Sequence, residues 1–167
     1  MHLYALNKVY IAPKISANDT VRLPPKKSVG LMKEIKIYLV EDSPVIRDSL
    51  VAALEDLAPV KVVGCAPDEA SASLWLTEQG HACDLVIVDI FLKQGSGLGV
   101  LKTLQDRRRE LKAIVLSNYA TPDIRRRCRD LGADRVFDKS DQIDDLISYC
   151  AALSSGEAGN TGLADLN

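Results

Sequence analysis

Five short apolar segments, each followed by a segment of helical periodicity, constrain the fold of this chain more than any other feature. The apolar segments lie at 35–40, 60–65, 85–88, 113–116 and, more weakly, 135–137. Continuous apolar strands alternating with amphipathic helices are typical of a parallel sheet that is covered on both faces. Because crossover connections are right-handed, the pattern predicts a doubly wound α/β fold with a five-stranded parallel sheet and five helices.

The predicted helices carry apolar stripes and have recognisable ends. Ser43–Pro44 and Thr121–Pro122 each place a capping hydroxyl before a proline at the first helical position. Gly80 and Gly132 stand where a helix ends in a left-handed residue, and three arginines at 107–109 fall near the end of the third helix. The stripe of the first helix predicts core positions at Ile46, Leu50, Ala53, Leu54 and Leu57.

The two ends of the chain differ in composition from the alternating middle. We expect residues 1–33 to be an N-terminal extension that is either flexible or the product of a misassigned start, with Met32 as the natural one. We place the folded domain at 34–153, followed by a flexible C-terminal tail at 154–167 and no DNA-binding domain. An alternative for the N-terminal extension is a docking segment built on Leu3, Tyr4, Val9, Tyr10 and Ile11.

Charge and cysteine content exclude several classes of function. The chain of 167 residues has a formal net charge of -2, which argues against extensive coating of nucleic acid or anionic lipid. No apolar run approaches the roughly 20 residues of a membrane span, and the N-terminus lacks the pattern of a signal peptide. No two cysteines form a CxxC pair and the histidines are only His2 and His81, which excludes a zinc site. We expect a cytoplasmic protein with unpaired, buried or half-buried thiols at Cys65, Cys83, Cys128 and Cys150.

Reactive side chains follow four of the five predicted strands. Glu41 and Asp42 follow the first strand, Asp89 the third, Ser117 the fourth and Lys139 the fifth. Because doubly wound sheets bind ligands outside the carboxyl ends of their strands, we expect these groups to share one edge. Three carboxylates suit Mg²⁺, one of them can attack a phosphoryl group to form an aspartyl-phosphate, and an ammonium can neutralise the transferred charge. Taken singly, each of these residues is best explained as a solvated loop residue. Phosphoryl chemistry is indicated only because compatible groups follow four separate strands and are expected at the same edge.

Four segments of the sequence resemble the receiver domain of response regulators, the switch modules of two-component signal transduction. They read YLVEDSPVIRDSL, DLVIVDIFLKQGSGLGVLKTL, AIVLSNYA and LGADRVFDKS, and the likeness covers about residues 34–153. Gly97, eight residues after Asp89, also stands where the family has a glycine. The resemblance implies a flavodoxin-like, single-domain response regulator that acts as a phosphoprotein in a phosphorelay, and not an enzyme that turns over a metabolite.

The resemblance also implies a role for each reactive residue. Asp89 would be the phosphoacceptor, and a histidine kinase or phosphotransfer protein would be the donor. Ser117 and Lys139 would contact the phosphoryl group. The Mg²⁺ ligands would be Glu41, Asp42, Asp89 and the backbone carbonyl of Phe91.

Three features depart from the pattern of the family. Ser140 replaces the proline that follows the lysine, and because a cis bond before a non-proline residue costs about 2.5–4 kcal/mol, we expect a trans bond with Ser140 capping the last helix. Val136 replaces the switch aromatic, so that if Phe137 stays in the core the usual ring rotation is absent or altered. Bulky neighbours of the site are expected to shield the acyl phosphate from water: Phe91, Asn118 and Tyr119.

Two enzyme-like interpretations are weak, and one binding interpretation stays open. A phosphatase of the haloacid-dehalogenase type needs an acid two positions after its nucleophile, where this chain has Phe91. The glycines at 95–99, GSGLG, fail the dinucleotide pattern because Val100 follows them, and they lack the GK[ST] of a phosphate loop. A receiver-like adaptor that works independently of phosphorylation stays open because Val136 and Ser140 depart from the pattern.

A basic stretch runs along the fourth predicted helix and beyond. The simplest interpretation is a solvated face, and a partner surface is the functional alternative. In the family that the chain resembles, phosphorylation is read out on the face of the fourth helix, fifth strand and fifth helix, which favours a protein target over nucleic acid. The stretch comprises Arg125, Arg126, Arg127, Arg129 and Arg135.

Overall fold

The computed structural model describes residues 32–78, 81–105 and 110–157, which leaves Gly80 and the arginines at 107–109 outside the described residues. The neighbouring strands pair in parallel in the order β2-β1-β3-β4-β5, and the predicted five-stranded, doubly wound fold is confirmed. Within the described part of the chain, no helix combines the length and the apolar character needed to cross a bilayer. The elements are β1 (Ile35–Val40), α1 (Pro44–Leu57), β2 (Val60–Ala66), α2 (Glu69–Thr77), β3 (Leu85–Val88), α3 (Gly97–Thr103), β4 (Lys112–Ser117), α4 (Pro122–Asp130), β5 (Arg135–Asp138) and α5 (Ile143–Ser155).

Two hydrophobic cores lie on the two faces of the sheet, because successive strand residues point in opposite directions. Helices α2, α3 and α4 cover the face that carries Tyr38, Val86 and Val115. Helices α1 and α5 cover the opposite face, which carries Ile37 and Ile87. The central strand β3, LVIV, is therefore buried along its whole length, which explains why it reads as a continuous apolar run.

The predicted caps position the two helices that begin beside the carboxyl edge of the sheet. Ser43 Oγ accepts a hydrogen bond from Ile46 N at the start of α1, at 3.4 Å. Thr121 Oγ1 accepts one from Ile124 N at the start of α4, also at 3.4 Å. After α4, Gly132 adopts a φ of 86°, as expected for a residue that ends a helix in the left-handed region. These cap predictions are confirmed.

The predicted core stripe of α1 is correct in the middle of the helix and wrong at its ends. Leu50 and Leu54 are buried, and Ala53 is half-buried. Ile46 and Leu57, by contrast, are 41% and 60% exposed. Both lie in terminal turns of the helix, where a periodic side chain extends past the part of the helix that packs on the sheet.

The GSGLG segment accommodates a carboxylate from α2. Glu69 Oε2 accepts a hydrogen bond from Ser96 N at 2.7 Å. A Cβ on Gly95 would lie 2.4 Å from the Cβ of Glu69, and a Cβ on Gly99 would lie 2.0 Å from its Oε1. These glycines therefore leave room for the Glu69 side chain, which gives their presence a packing explanation.

The four cysteines form no disulfide, and all of them lie in the described residues. Cys83, Cys128 and Cys150 are buried, as predicted. Cys65 is exposed, so the prediction is wrong there. It lies on β2, the edge strand of the sheet, where helices cover the residues less completely than on the central strands.

Thiol reactivity should distinguish Cys65 from the other three cysteines. Burial raises the pKa of Cys150 to about 12 and also raises the pKa values of Cys128 and Cys65 above their usual value, so exposure and not pKa distinguishes Cys65. The thiols of Cys83, Cys128 and Cys150 should resist an aromatic disulfide reagent at pH 8 because the reagent cannot reach them, whereas the exposed Cys65 should react. We expect one thiol per native chain to react, four in denaturant and none in native Cys65→Ser. Rapid reaction of a second native thiol would contradict the described packing.

Candidate functional site

Four strands deliver the predicted reactive residues to the carboxyl edge of the sheet. Glu41 directly follows β1 and is only 2% exposed, while Asp89 directly follows β3 and is also buried. Ser117 is the last residue of β4, and Lys139 follows β5. Because these strands run parallel and side by side, their ends bring together residues that lie up to 98 positions apart in the chain.

Three carboxylates cluster at this edge. One oxygen from each of Glu41, Asp42 and Asp89 lies within 4.8 Å of the others. Such closely spaced acidic oxygens repel one another unless cations compensate them. A set of carboxylate oxygens at this spacing is also what a hard divalent cation such as Mg²⁺ requires, so the donor set fits the predicted metal.

Two lysines compensate the carboxylates in different ways. Lys139 Nζ lies 2.5 Å from Glu41 Oε2 and 2.7 Å from Asp89 Oδ2, and its side chain is only 8% exposed. Lys93 Nζ lies 3.4 Å from Asp42 Oδ2, and this lysine side chain is 76% exposed. The buried ammonium therefore bridges two carboxylates inside the site, whereas the second ion pair lies at the solvent side.

The charge state of Lys139 follows from two opposing effects. Burial alone would lower the pKa of its ammonium, but the hydrogen bonds to Asp89 and Glu41 outweigh burial and raise the pKa above its usual value. Lys139 is therefore a cation at neutral pH. It supplies a fixed positive charge next to the Asp89 carboxylate.

Backbone amides orient the carboxylates further. Glu41 Oε1 accepts a hydrogen bond from Ser43 N at 3.0 Å. Asp89 Oδ1 accepts one from Phe91 N at 3.2 Å, and Asp42 Oδ2 accepts one from Lys93 N, also at 3.2 Å. The two adjacent acids after β1 thus have different environments: Glu41 is turned inward, and Asp42 points to the rim.

A cavity of about 200 Å³ opens above the cluster. Ser43 and Ile46 at the start of α1 line it, although only their helix-forming roles could be read from the sequence. Ser117 is not among the lining residues: it is completely buried, and its Oγ accepts a hydrogen bond from Tyr119 N at 3.4 Å. Four of the five strand-end residues thus line the cavity, and Ser117 is buried next to the lining residue Asn118. The cavity is lined by Glu41, Asp42, Ser43, Ile46, Asp89, Phe91, Asn118, Tyr119 and Lys139.

Two aromatic rings form part of the rim of this cavity. Phe91 and Tyr119 meet edge to face, with ring centroids 5.2 Å apart and an angle of 69° between the ring planes. They are 52% and 64% exposed, respectively. The bulky neighbours expected from the sequence therefore lie at the mouth of the site.

Ser140 does not have its predicted role at the start of the last helix. The Lys139–Ser140 bond is trans, as expected. However, Gln142 is the residue before α5, and its side chain makes no cap hydrogen bond. The Asp138 carboxylate instead accepts hydrogen bonds from the Ser140 hydroxyl and amide, and these bonds lower the pKa of Asp138. The nearby carboxylate binds Ser140 in place of the helix amides, so the capping prediction is wrong.

Val136 and Phe137 lie on opposite faces of the sheet. Phe137 is buried on the α1 and α5 side, where its ring centroid lies 6.0 Å from that of Tyr149. Val136 is buried on the side that α2, α3 and α4 cover. Phe137 therefore lies in the core, which is the case in which the sequence leads us to expect an absent or altered ring rotation.

The basic stretch divides into exposed and half-buried arginines. Arg126, Arg127 and Arg129 are exposed on α4, as a solvated face predicts. Arg125 is half-buried and binds three oxygens of its own chain. The solvated interpretation is therefore wrong for Arg125, because its side chain points into the fold.

Gly97 lies so close to the backbone of Asp89 that no side chain fits between them. A Cβ there would lie 2.1 Å from the carbonyl oxygen of Asp89, which belongs to the backbone and cannot easily move. We expect Gly97→Ala to destabilise the fold by about 1–3 kcal/mol, the usual cost of overpacking. Urea unfolding would measure this loss, with Gly64→Ala as the control, because there the nearest atoms belong to a Tyr38 side chain at 3.0 Å. Equal stability of Gly97→Ala and wild type would contradict the close approach.

Comparisons with known proteins identify the family to which the chain is similar. A family model described as the response regulator receiver domain matches residues 37–151. The gliding motility regulatory protein of Myxococcus xanthus is 26% identical over 133 residues, which cover 77% of this chain and 16% of that protein. Response regulator UvrY of Escherichia coli K12 is 24% identical over 123 residues, covering 74% of this chain and 56% of that protein. The chain therefore spans only part of the length of these relatives.

Solved structures share the fold. The signal receiver domain of NarL from Mycobacterium tuberculosis superposes with a TM-score of 0.65 at 21% identity, covering 74% of this chain and 98% of that one. The isolated receiver domain of RcsB from Salmonella enterica, solved with the phosphomimetic BeF3-, gives a TM-score of 0.64 at 24% identity, covering 75% and 91%. The match of the family model extends from β1 to α5 and takes in all the strand ends described above. This chain belongs to the response regulator receiver domain family.

Proposed function

We propose that this domain, at residues 34–153, is a cytoplasmic signalling switch that accepts a phosphoryl group on Asp89 and thereby changes its binding to a protein target. A histidine kinase or phosphotransfer protein would be the donor, and the altered surface would be the face formed by α4, β5 and α5. The observation that carries the proposal is the Asp89 carboxylate held 2.7 Å from the buried Lys139 ammonium and beside two further acids. A metabolic enzyme would need further catalytic groups, whereas phosphoryl transfer to a carboxylate needs alignment and charge neutralisation.

In the proposed transfer step, Asp89 is the nucleophile. A carboxylate oxygen of Asp89 attacks phosphorus, the P–N bond of the phosphohistidine donor breaks, and the imidazole leaves with the electron pair. Mg²⁺, when bound, would neutralise charge on the phosphoryl oxygens; its ligands would be Glu41, Asp42, Asp89 and the carbonyl of Phe91. Lys139 would shift from the Asp89 carboxylate to a phosphoryl oxygen and stay paired with Glu41.

Ser117 requires a change of position to take part. It is fully buried, and its hydroxyl lies against the Tyr119 amide. To donate to a phosphoryl oxygen, the hydroxyl has to turn toward the cavity, and the loop between β4 and α4 has to adjust. Phosphorylation is therefore coupled to the loop that leads into α4, which supports a conformational readout on that side.

Phosphoryl uptake from a small donor tests this function. The protein is incubated with acetyl phosphate and Mg²⁺ and its intact mass is measured. We expect a gain of one phosphoryl group that hydroxylamine removes, no gain in Asp89→Asn, and an unchanged gain in Asp123→Asn, where the acid is exposed on α4. A wild-type protein that stays unmodified, or an Asp89→Asn variant that is modified as fully, would refute the proposal.

An adaptor that works independently of phosphorylation is the second candidate. The aliphatic Val136 and the residue Ser140 favour it, because both depart from the pattern of the family at positions next to the site. Proteins captured by the phosphorylated domain, by the unphosphorylated domain and by Asp89→Asn separate the two functions. The switch predicts that at least one partner depends on the phosphoryl group, and identical partner sets would favour the adaptor.

The aromatic rim should lengthen the lifetime of the acyl phosphate. Phe91 and Tyr119 restrict the approach of water to the cavity. We expect a lifetime of many minutes in the wild type, and a several-fold shorter one when both residues are changed to alanine. Decay of the phosphorylated mass with time measures this, with Val45→Ala as the exposed apolar control outside the cavity lining. A wild-type half-life of seconds would contradict shielding.

A further inference from the structure

Arg125 joins three structural elements through one guanidinium. Its Nε donates to the carbonyl oxygen of Ala120 at 2.9 Å, in the loop between β4 and α4. Its Nη1 donates to the carbonyl oxygen of Val136 in β5 at 2.6 Å. Its Nη2 donates to Gln142 Oε1 at 3.1 Å, directly before α5. Because the guanidinium is planar and rigid, these three bonds fix the relative positions of the three elements.

The hydrogen bond to Ala120 connects Arg125 to the phosphoryl site through Ser117. Ala120 directly follows Tyr119, whose amide donates to Ser117 Oγ at 3.4 Å. Turning the Ser117 hydroxyl toward a phosphoryl oxygen changes the geometry of this hydrogen bond. The loop then changes its conformation, and the carbonyl that binds Arg125 moves with it.

The hydrogen bond to Gln142 connects Arg125 to the same site through the loop of Lys139. Gln142 Oε1 also accepts a hydrogen bond from Asp138 N at 2.8 Å, and Asp138 directly precedes Lys139. Gln142 N donates in turn to the carbonyl oxygen of Asp138 at 3.0 Å. One amide oxygen is thus shared between Arg125 and the loop that carries the buried lysine.

We propose that Arg125 is a positioning residue that holds the loops of Ser117 and Lys139 in a fixed relation and transmits phosphorylation of the site to α4 and α5. This role rests on the proposed phosphorylation of Asp89. The side chain of Val136 is aliphatic and offers no polar contact, so in this chain β5 is joined to α4 through its backbone carbonyl. A displacement of either loop therefore realigns the guanidinium and shifts the other elements bonded to it.

Hydrogen exchange measured by mass spectrometry tests the coupling. Peptides from α4 and α5 are compared with and without acetyl phosphate and Mg²⁺, in wild type, Arg125→Ala and the control Arg129→Ala, whose side chain is exposed on the same helix. We expect all three proteins to take up the phosphoryl group. The phosphorylation-dependent change in exchange over α5 should be present in wild type and Arg129→Ala and lost in Arg125→Ala. The comparison is made within each variant, so a uniform loss of stability does not produce the result.

Substitutions of Gln142 test one branch of the same connection without touching the arginine. Gln142→Met removes the shared acceptor, so the change over α5 should be lost while the change over α4 persists. Gln142→Glu keeps an acceptor oxygen in place and should retain both changes. These variants carry the test if Arg125→Ala does not fold.

The outcomes separate the two proposals. Phosphoryl uptake with the same exchange change in Arg125→Ala as in Arg129→Ala would overturn the role of Arg125 and leave the proposed function standing. Phosphoryl uptake by the wild type without any change in hydrogen exchange over α4 or α5 would also overturn the role of Arg125. A wild type that takes up no phosphoryl group would refute the proposed function itself, and the coupling with it.

Discussion

Asp42→Ala is expected to abolish Mg²⁺-dependent phosphorylation of the domain while leaving the fold intact. Asp42 is the acid of the cluster that points to the rim of the cavity, and its side chain is 13% exposed. Its described contacts are to Lys93, whose side chain is largely exposed, so its removal disturbs little of the core. If the three carboxylates bind Mg²⁺ as proposed, the loss of one of them should remove most of the affinity for the ion, which depends on the number of charged oxygens.

Intact mass after incubation with acetyl phosphate and Mg²⁺ measures this loss, and circular dichroism checks the fold. Asp56→Ala is the matched control, because Asp56 is an exposed acid on α1. We expect the control to be phosphorylated as fully as the wild type. Full phosphorylation of Asp42→Ala at the same Mg²⁺ concentration would show that this carboxylate is not a metal ligand.

Lys139→Met should destabilise the metal-free protein strongly, and Mg²⁺ should restore much of the loss. The substitution leaves Glu41 and Asp89 buried without their shared cation, and breaking such a buried pair costs about 3–5 kcal/mol. A divalent cation that binds the folded state and neutralises the same carboxylates stabilises it by mass action. The wild type should respond less to Mg²⁺, because Lys139 already compensates two of the acids and repels the ion.

Urea unfolding with EDTA and with Mg²⁺ measures both effects. Lys93→Met is the control for the loss of a lysine, because its ion pair is exposed and such pairs contribute only about 0–1 kcal/mol. If Lys139→Met were as stable as Lys93→Met in EDTA, the lysine would not be the buried counter-ion. If Mg²⁺ stabilised Lys139→Met no more than the wild type, the ion would not occupy this cluster.

Elements whose formation depends on local periodicity were predictable from the sequence. β3 is apolar at every position because helices cover both faces of the sheet, and the parallel strand ends then place Glu41, Asp89 and Lys139 together. The caps at Ser43 and Thr121 were predictable for the same reason, since each depends on residues within one turn. Backbone pattern and topology thus account for the sheet and for the position of the acidic cluster.

Contacts between distant side chains were not predictable in the same way. The sequence suggests Ser140 as a helix cap, but its hydroxyl donates to the Asp138 carboxylate and the residue before α5 is Gln142. Arg125 looked like one of several solvated arginines, and only the folded chain brings the carbonyl of Val136 within reach of its guanidinium. The sequence argues against a phosphate loop at GSGLG, but only the folded chain shows that Glu69 occupies the space beside these glycines. In each case tertiary packing determines the partner of the side chain, and the spacing of residues in the sequence does not predict it.

Direct location of the phosphoryl group tests the central claim, that the acidic cluster makes Asp89 a metal-dependent phosphoacceptor. The phosphorylated protein is treated with borohydride, which reduces an acyl phosphate to the alcohol and so converts the modified aspartate to homoserine. Peptide sequencing by mass spectrometry then identifies the converted position. We predict homoserine at position 89 when Mg²⁺ is present and none when EDTA replaces it. Conversion at another acid, or equal conversion at Asp89 in EDTA, would contradict the account.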